Sequence, residues 1–281
     1  MDTTAPQARI ALVTGAAQGI GEAIALRLAE DGLDVAVVDL PQKHDQVEAV
    51  ANNIRAKGRR SLALYADVSM EDEVEAMIKS TAEQLGGLDV MIANAGIFRD
   101  MPIVDVTVET WDTLMTVNAR SVLLAIKHAA RHMIAQGRGG RIIGEMITRP
   151  AVMCATEPGS LQAASSAAGK RGARNMAVYS ASKFAIRGLV QSASIELRPH
   201  NITVNGYSPG LIITPMTCHQ DDEINGGHGM TAHLRGLGGV TPDLKPAQPE
   251  VIASVVSYLA KPEAHYITGQ CVNVNGGSVM D

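Results

Sequence analysis

Short apolar runs, each ending in a polar residue or a glycine, recur along this chain with room for one helix between them. Residues 10–13, 35–38, 61–66 and 90–92 are the first four. Runs this short and this apolar are what strands buried on both faces look like. Helix-period stretches lie between them. The first carries Ile24, Leu26 and Leu28 and stops at Asp31-Gly32, the second reaches Lys57-Gly58, and the third covers about 71–85 before Gly86-Gly87. Farther on, the pattern predicts a long helix over about 109–135 and a fifth strand at 141–143. It then predicts a helix from the Tyr179 segment to Arg198-Pro199, a strand at 202–205, a helix over 249–260 and a last strand over 270–275. Sustained strand–helix alternation of this kind predicts an α/β fold, a doubly wound parallel sheet with helices on both faces. No internal repeat or linker breaks it, so residues 1–281 read as a single domain.

The turn after the first strand reads Thr14-Gly15-Ala16-Ala17-Gln18-Gly19-Ile20-Gly21. Glycine lets the backbone approach a pyrophosphate and lets the helix pack close to the strand. The helix that follows offers unpaired N–H groups and a positive dipole end to phosphates. Gly15, Gln18, Gly19, Ile20 and Gly21 are therefore candidate cofactor-binding residues of a Rossmann-type fold. Asp39 closes the second strand about 18 residues after Gly21. An acid there binds both ribose hydroxyls of NAD and repels the 2′-phosphate of NADP. Neither Arg nor Lys directly follows Asp39, and Gln18 is uncharged, so the expected cofactor is NAD. A helix cap or a solvated turn is the plain alternative for Asp39. Asp67 and Asn94 also end strands, at the carboxyl edge where such sheets bind ligands.

Tyr179 and Lys183 stand four residues apart in Tyr179-Ser180-Ala181-Ser182-Lys183. On a helix they share a face, and a neighbouring ammonium favours the phenolate. A Tyr so tuned can serve as acid or base toward an alcohol or carbonyl. An ordinary surface helix would show the same spacing by accident, so the weight comes from the cofactor residues upstream.

Composition narrows the field further. A net charge of −5, a pI of about 5.9 and 3% aromatic residues give no basic, base-stacking surface, so no nucleic-acid partner is expected. No apolar stretch approaches the ~20 residues that span a membrane, and the first nine residues lack an apolar signal core. Three dispersed cysteines, Cys154, Cys218 and Cys271, suit a reducing, cytoplasmic setting without disulfides. Neither they nor His219, His228 and His233 have metal-ligand spacing, so no metal is expected.

Together these residues resemble the short-chain dehydrogenase/reductase family. Thr14-Gly15-x3-Gly19-Ile20-Gly21, Asp67-Val68, Asn94-Ala95-Gly96, Asn118, Tyr179-x3-Lys183 and Pro209-Gly210 occur in the family's order over nearly the whole chain. Within the family, residues 177–189, 202–207 and 266–270 look like acetoin/diacetyl reductases (butanediol dehydrogenases). The resemblance implies an NAD-dependent enzyme interconverting a small secondary alcohol and ketone, and a homotetramer. It implies Tyr179 as catalytic acid/base, and Lys183 as the residue lowering the Tyr179 pKa and binding the nicotinamide ribose. It implies Ser166 (or its neighbour Ser165) as the group polarising substrate, and Asn118 as the holder of a relay water. Asp67 and Val68 would flank the adenine and Asn94 would sit by the ribose. Pro209, Gly210, Ile212 and Thr214 would hold the far end of the cofactor.

One stretch departs from the family's pattern. After 141–143 come Gly144-Glu145-Met146 and about 20 extra residues before Ser165-Ser166. The stretch over about 144–164 reads as an irregular insert. It could be a lid, a neutral excursion, or a foreign segment such as translated intron sequence; the last is favoured on possible splice codons at Gly144-Glu145 and Leu161-Gln162. A foreign segment would displace Ser166 and leave an impaired NAD-binding protein, the alternative to an active reductase. A second irregular stretch, about 216–249, is rich in glycine and reads as a substrate lid.

Overall fold

The computed structural model describes residues 8–99, 101–146, 172, 175–215 and 246–278. Its strands are β1 (Ile10–Thr14), β2 (Asp34–Asp39), β3 (Ser61–Tyr65), β4 (Val90–Ala93), β5 (Gly140–Glu145), β6 (Ile202–Pro209) and β7 (Cys271–Val274). They form one parallel sheet in the order β3-β2-β1-β4-β5-β6-β7. The chain builds outward from β1 to β3, then crosses back to lay β4 on the other side of β1. A crevice opens at that reversal, beyond the carboxyl ends of β1 and β4.

Helices cover both faces: α1 (Gly19–Glu30), α2 (His44–Ala56), α3 (Glu71–Leu85), α4 (Val108–Leu114), α5 (Ser121–Gln136), α6 (Ala177–Leu197) and α7 (Pro249–Ala260). One core layer sets Ile24 and Leu28 of α1, Val47 and Ile54 of α2 and Ile252 of α7 against Val13, Val35 and Val37. The other sets Met77 of α3, Ala129 of α5 and Ile186 of α6 against Leu12, Met91 and Ile142. Each buried Leu, Ile or Val contributes about 1.5–3 kcal/mol relative to leaving it in water. Left-handed glycines close two helices, Gly86 (φ +99°) after α3 and Gly137 (φ +75°) after α5.

The structure departs from the expected elements in two places. The helix expected over 109–135 is interrupted by a π-helical turn, Met115–Arg120, between α4 and α5. That widened turn carries Asn118, and π turns of this kind concentrate at functional sites. The expected irregular segment also begins later than Gly144. Gly144 and Glu145 are the last residues of β5, paired with Gly206 and Tyr207 of β6. The ladder continues because β6 still offers backbone partners there, and the Met146 N–H goes on to donate to Tyr207 O at 2.7 Å.

Ser165, Ser166, residues 147–164 of the insert and residues 216–245 of the expected lid lie outside the described residues, as do Cys154, Cys218, His219, His228 and His233. Among the described residues no helix is long and apolar enough to cross a membrane, and no group of His, Cys, Asp and Glu could hold a metal ion.

Candidate active site

The crevice is a cavity of about 230 Å³, and its floor is the turn from β1 into α1. Gly15 and Gly19 take φ values of +64° and +63°, the left-handed region that glycine enters without cost. A Cβ on Gly21 would stand 2.1 Å from Gly15 O and 2.5 Å from Asn94 Nδ2, so only glycine lets helix and strand close to this distance. Gln18 precedes α1 in extended conformation and gives no side-chain cap to its first N–H groups. Those donors remain available to phosphate oxygens at the positive end of the helix. Gly15, Gln18, Gly19, Ile20 and Gly21 all line the cavity.

Asp39 forms one end. Its Oδ2 accepts from Ala17 N at 3.1 Å and its Oδ1 from Leu40 N at 2.9 Å, which aims the carboxylate at the turn. Lys43, four residues on, also lines the cavity, and its Nζ donates to Gln18 Oε1 at 3.4 Å. The only signal for it in the sequence is a cation near, though not next to, Asp39.

Val68 lines the same end, whereas Asp67 does not. The Asp67 carboxylate accepts from Ser69 N at 2.9 Å and shapes the turn after β3. Asn94 lines the cavity as a strut. Its Nδ2 donates to Thr14 O (2.8 Å) and Gly15 O (3.1 Å), and its Oδ1 accepts from Tyr207 Oη at 2.9 Å. The amide thereby ties β4 and β6 to the glycine turn. Pro209, Gly210, Ile212 and Thr214 form the wall after β6, where Ile212 bridges to Ala247.

The other end is built by β5, α6 and the π turn. Tyr179 and Lys183 share the inner face of α6, each only 1% exposed. Lys183 Nζ stands 5.5 Å from the Tyr179 ring centroid, and Phe98 packs edge-on against that ring at 5.1 Å. Asn118 is fully buried; its Oδ1 accepts from Ile97 N (2.8 Å), and its Nδ2 donates to Ile97 O (3.0 Å) and Ser182 Oγ (3.2 Å). Ser182 donates in turn to Tyr179 O at 2.7 Å, so Asn118 and Tyr179 are joined through a residue the sequence did not single out. Gly96, Ile97, Val117 and Glu145 line the cavity at this end, and Asn118 Oδ1 and Lys183 Nζ lie 3.3 and 3.7 Å from a Cβ built on Gly96.

Glu145 was not expected in the site. It is 4% exposed and lines the cavity, and its backbone carbonyl accepts from Lys183 Nζ at 3.5 Å. Burial pushes its carboxyl up to about 7, against the pull of Lys183. Burial pulls Lys183 down, with Glu145 opposing, and it holds the Tyr207 phenol well above its ordinary value, with Glu145 adding to the rise. The signal that could have found Glu145 is the one that found Asp39: an acid at the carboxyl end of a strand.

A glycine cradle, uncapped helix N–H groups and an acid one strand away fit a dinucleotide with a pyrophosphate bridge. The chain is similar to known proteins along its length. A family model described as short chain dehydrogenase matches residues 9–144, and one described as enoyl-(acyl carrier protein) reductase matches residues 145–279. A short-chain dehydrogenase/reductase of Armillaria gallica is 45% identical over 283 residues, 99% of each chain. The L-2,3-butanediol dehydrogenase of Corynebacterium glutamicum is 35% identical over 97% of this chain and 99% of its own. The solved acetoin dehydrogenase from Enterobacter cloacae has a TM-score of 0.77 at 31% identity, covering 96% of both chains. Two other solved relatives carry different cofactors. A short chain dehydrogenase from Mycobacterium paratuberculosis is bound to NAD (TM-score 0.78, 31% identity, covering 96% of this chain and 97% of its own). One from Burkholderia cenocepacia is in complex with NADP (TM-score 0.78, 33% identity, covering 97% and 98%).

Proposed function

Because the chain belongs to the short-chain dehydrogenase/reductase family, and so is a nicotinamide-dependent oxidoreductase, we propose that it interconverts a small secondary alcohol and its ketone, of acetoin or diacetyl type, with NAD(H). The observation that carries this reading is the pairing of Tyr179 with Lys183 on one buried face of α6, beside the carboxyl edge of the sheet. Bound NAD(H) supplies or accepts the hydride. In the oxidising direction Tyr179 takes the proton of the substrate hydroxyl as the carbonyl forms, and in reduction it returns it. Lys183 keeps a positive charge beside the phenol and so favours its ionised form. Asn118 holds the Ile97 backbone and, through Ser182, the first turn of α6 in register, and Ser166 polarises the substrate oxygen.

Asp39 supports NAD as the cofactor, since its carboxylate lines the cavity beside the glycine turn, where it would bind the adenosine ribose and repel a 2′-phosphate. Lys43 in the same corner favours NADP as the second reading. Under the first reading the enzyme works as a homotetramer in the cytoplasm, which light scattering and cell fractionation test.

The decisive experiment is a panel of carbonyls and alcohols run with NAD(H) and NADP(H) side by side. Turnover of acetoin-like substrates with NAD(H), abolished by Tyr179→Phe while NADH still binds, is the expected result. Tight NADH binding with no turnover on any substrate, and turnover gained on removing residues 147–164, would overturn it.

A further inference from the structure

Glu145 places a carboxylate in the crevice at a position that follows from the sheet itself. Asp39 ends β2, one strand to one side of the glycine turn on β1, and Glu145 ends β5, two strands to the other side. Strands are about 4.8 Å apart, so the two acids mark ends of the crevice roughly 14 Å from each other. A dinucleotide with its pyrophosphate on α1 and its adenosine ribose at Asp39 must direct its nicotinamide half toward Glu145. This step rests on the cofactor reading above.

That end already holds a cation. Lys183 Nζ lies 3.7 Å from a Cβ built on Gly96, and Glu145 Oε2 lies 3.9 Å from the same point, so ammonium and carboxylate flank one patch of the crevice wall. The oxidised nicotinamide ring is itself a cation, whereas the reduced ring is neutral. Two positive charges in a poorly solvated corner repel, and a carboxylate between them removes the penalty. The reduced ring gains nothing from the same charge. We propose that Glu145 is the counter-charge that lets the oxidised cofactor share this corner with Lys183, and thereby sets the balance between NAD+ and NADH binding. It is a positioning residue for the cofactor's redox state and takes no part in proton transfer.

The titratable groups beside Glu145 are Lys183 from α6, whose Nζ also stands 5.5 Å from the Tyr179 ring, and the Tyr207 phenol from β6; Asn118 and Gly96, from the π turn and the segment after β4, carry no charge. Lys183 is the cation beside Glu145, and a neutral variant at position 145 leaves it in place, so that variant isolates the carboxylate. Kd values for NAD+ and NADH, measured by calorimetry or by NADH fluorescence at pH 6.0 and 8.0, test the proposal. In the native protein the Kd ratio NAD+/NADH should fall as pH rises and the carboxylate forms. In Glu145→Gln the ratio at pH 8.0 should rise about tenfold, with most of its pH dependence lost. Glu145→Ala, also neutral, should do the same if the Gln variant folds poorly. A ratio unchanged within twofold in a folded neutral variant, or flat with pH in the native protein, overturns the proposal while leaving the cofactor reading intact. Failure of the native protein to bind either nucleotide overturns both.

Discussion

The Tyr207 hydroxyl donates to Asn94 Oδ1 at 2.9 Å, and through that bond β6 braces the amide that holds the glycine turn. Tyr207 is fully buried and Asn94 only 7% exposed, so water does not substitute readily for a lost partner. Tyr207→Phe keeps the ring and deletes only the donor. It should cost about 1–3 kcal/mol, the penalty of a buried acceptor left unpaired. It should also weaken NADH binding several-fold by loosening the turn. Urea denaturation and NADH titration measure the two effects, and a variant unchanged in both would show that Asn94 is held adequately from β1 alone.

Glycines in the turn and glycines at helix ends should respond differently to alanine. At Gly21 the new methyl would meet a backbone oxygen at 2.1 Å, so helix and strand must separate. Gly21→Ala should cost at least the ~1–3 kcal/mol typical of overpacking and abolish dinucleotide binding. At Gly32, where φ is +93° and nothing lies within 4 Å, only left-handed strain of about 1 kcal/mol applies and binding should survive. Equal loss of binding in the two variants would count against the glycine turn as the pyrophosphate site.

What the sequence revealed of this site was local in character. The turn at Gly15–Gly21 and the Tyr179–Lys183 pair are each written within eight consecutive residues, where turn chemistry and helix period operate. The alternation of apolar runs was enough for the parallel sheet because strands buried on both faces leave no other pattern. The braces were not legible, since Tyr207 and Asn94 are 113 residues apart and Lys183 and Glu145 are 38 apart. Glu145 fell within the irregular segment because the departure from the family's pattern, and the possible splice codons, start at Gly144. In the fold that glycine is a packed strand position, with a would-be Cβ 3.6–4.0 Å from Val122, Ile186 and Val190. Lys43 escaped notice because a short 3-10 turn, Pro41–Lys43, folds it back toward Gln18.

Cofactor choice should turn on Asp39 and Lys43 in opposite senses. Asp39→Asn keeps an acceptor for the backbone and removes the charge that repels a 2′-phosphate. The ratio of kcat/KM for NAD over NADP should fall about tenfold or more, equivalent to ~1.4 kcal/mol of discrimination. Lys43→Met should move the same ratio upward by withdrawing the only cation among the described residues of the cavity lining. Steady-state kinetics on one substrate with both cofactors reads the two variants. A ratio that ignores both residues would mean that specificity is set elsewhere.

Glu145 should also make folding stability fall with rising pH over a defined window. Its carboxyl is pushed up to about 7 in the folded protein, chiefly by burial, whereas an exposed Glu titrates near ~4.3. The folded state therefore holds this proton more tightly than the unfolded chain. Stability from this group is fully present below the unfolded pKa and is lost as pH rises through about 7. The loss is on the order of 3 kcal/mol for the isolated carboxyl and smaller to the extent that Lys183 compensates. Lys183 has the opposite sign: its depressed pKa penalises the cation, and that penalty fades only as pH climbs toward the ordinary lysine range. Between pH 5 and 7.5 the carboxyl should dominate, so urea midpoints of the native protein should fall while those of Glu145→Gln stay nearly level. Parallel pH profiles for the two proteins would show that the Glu145 carboxylate is solvated or paired well enough to ionise freely, and would remove it as the source of any pH dependence in this corner of the site.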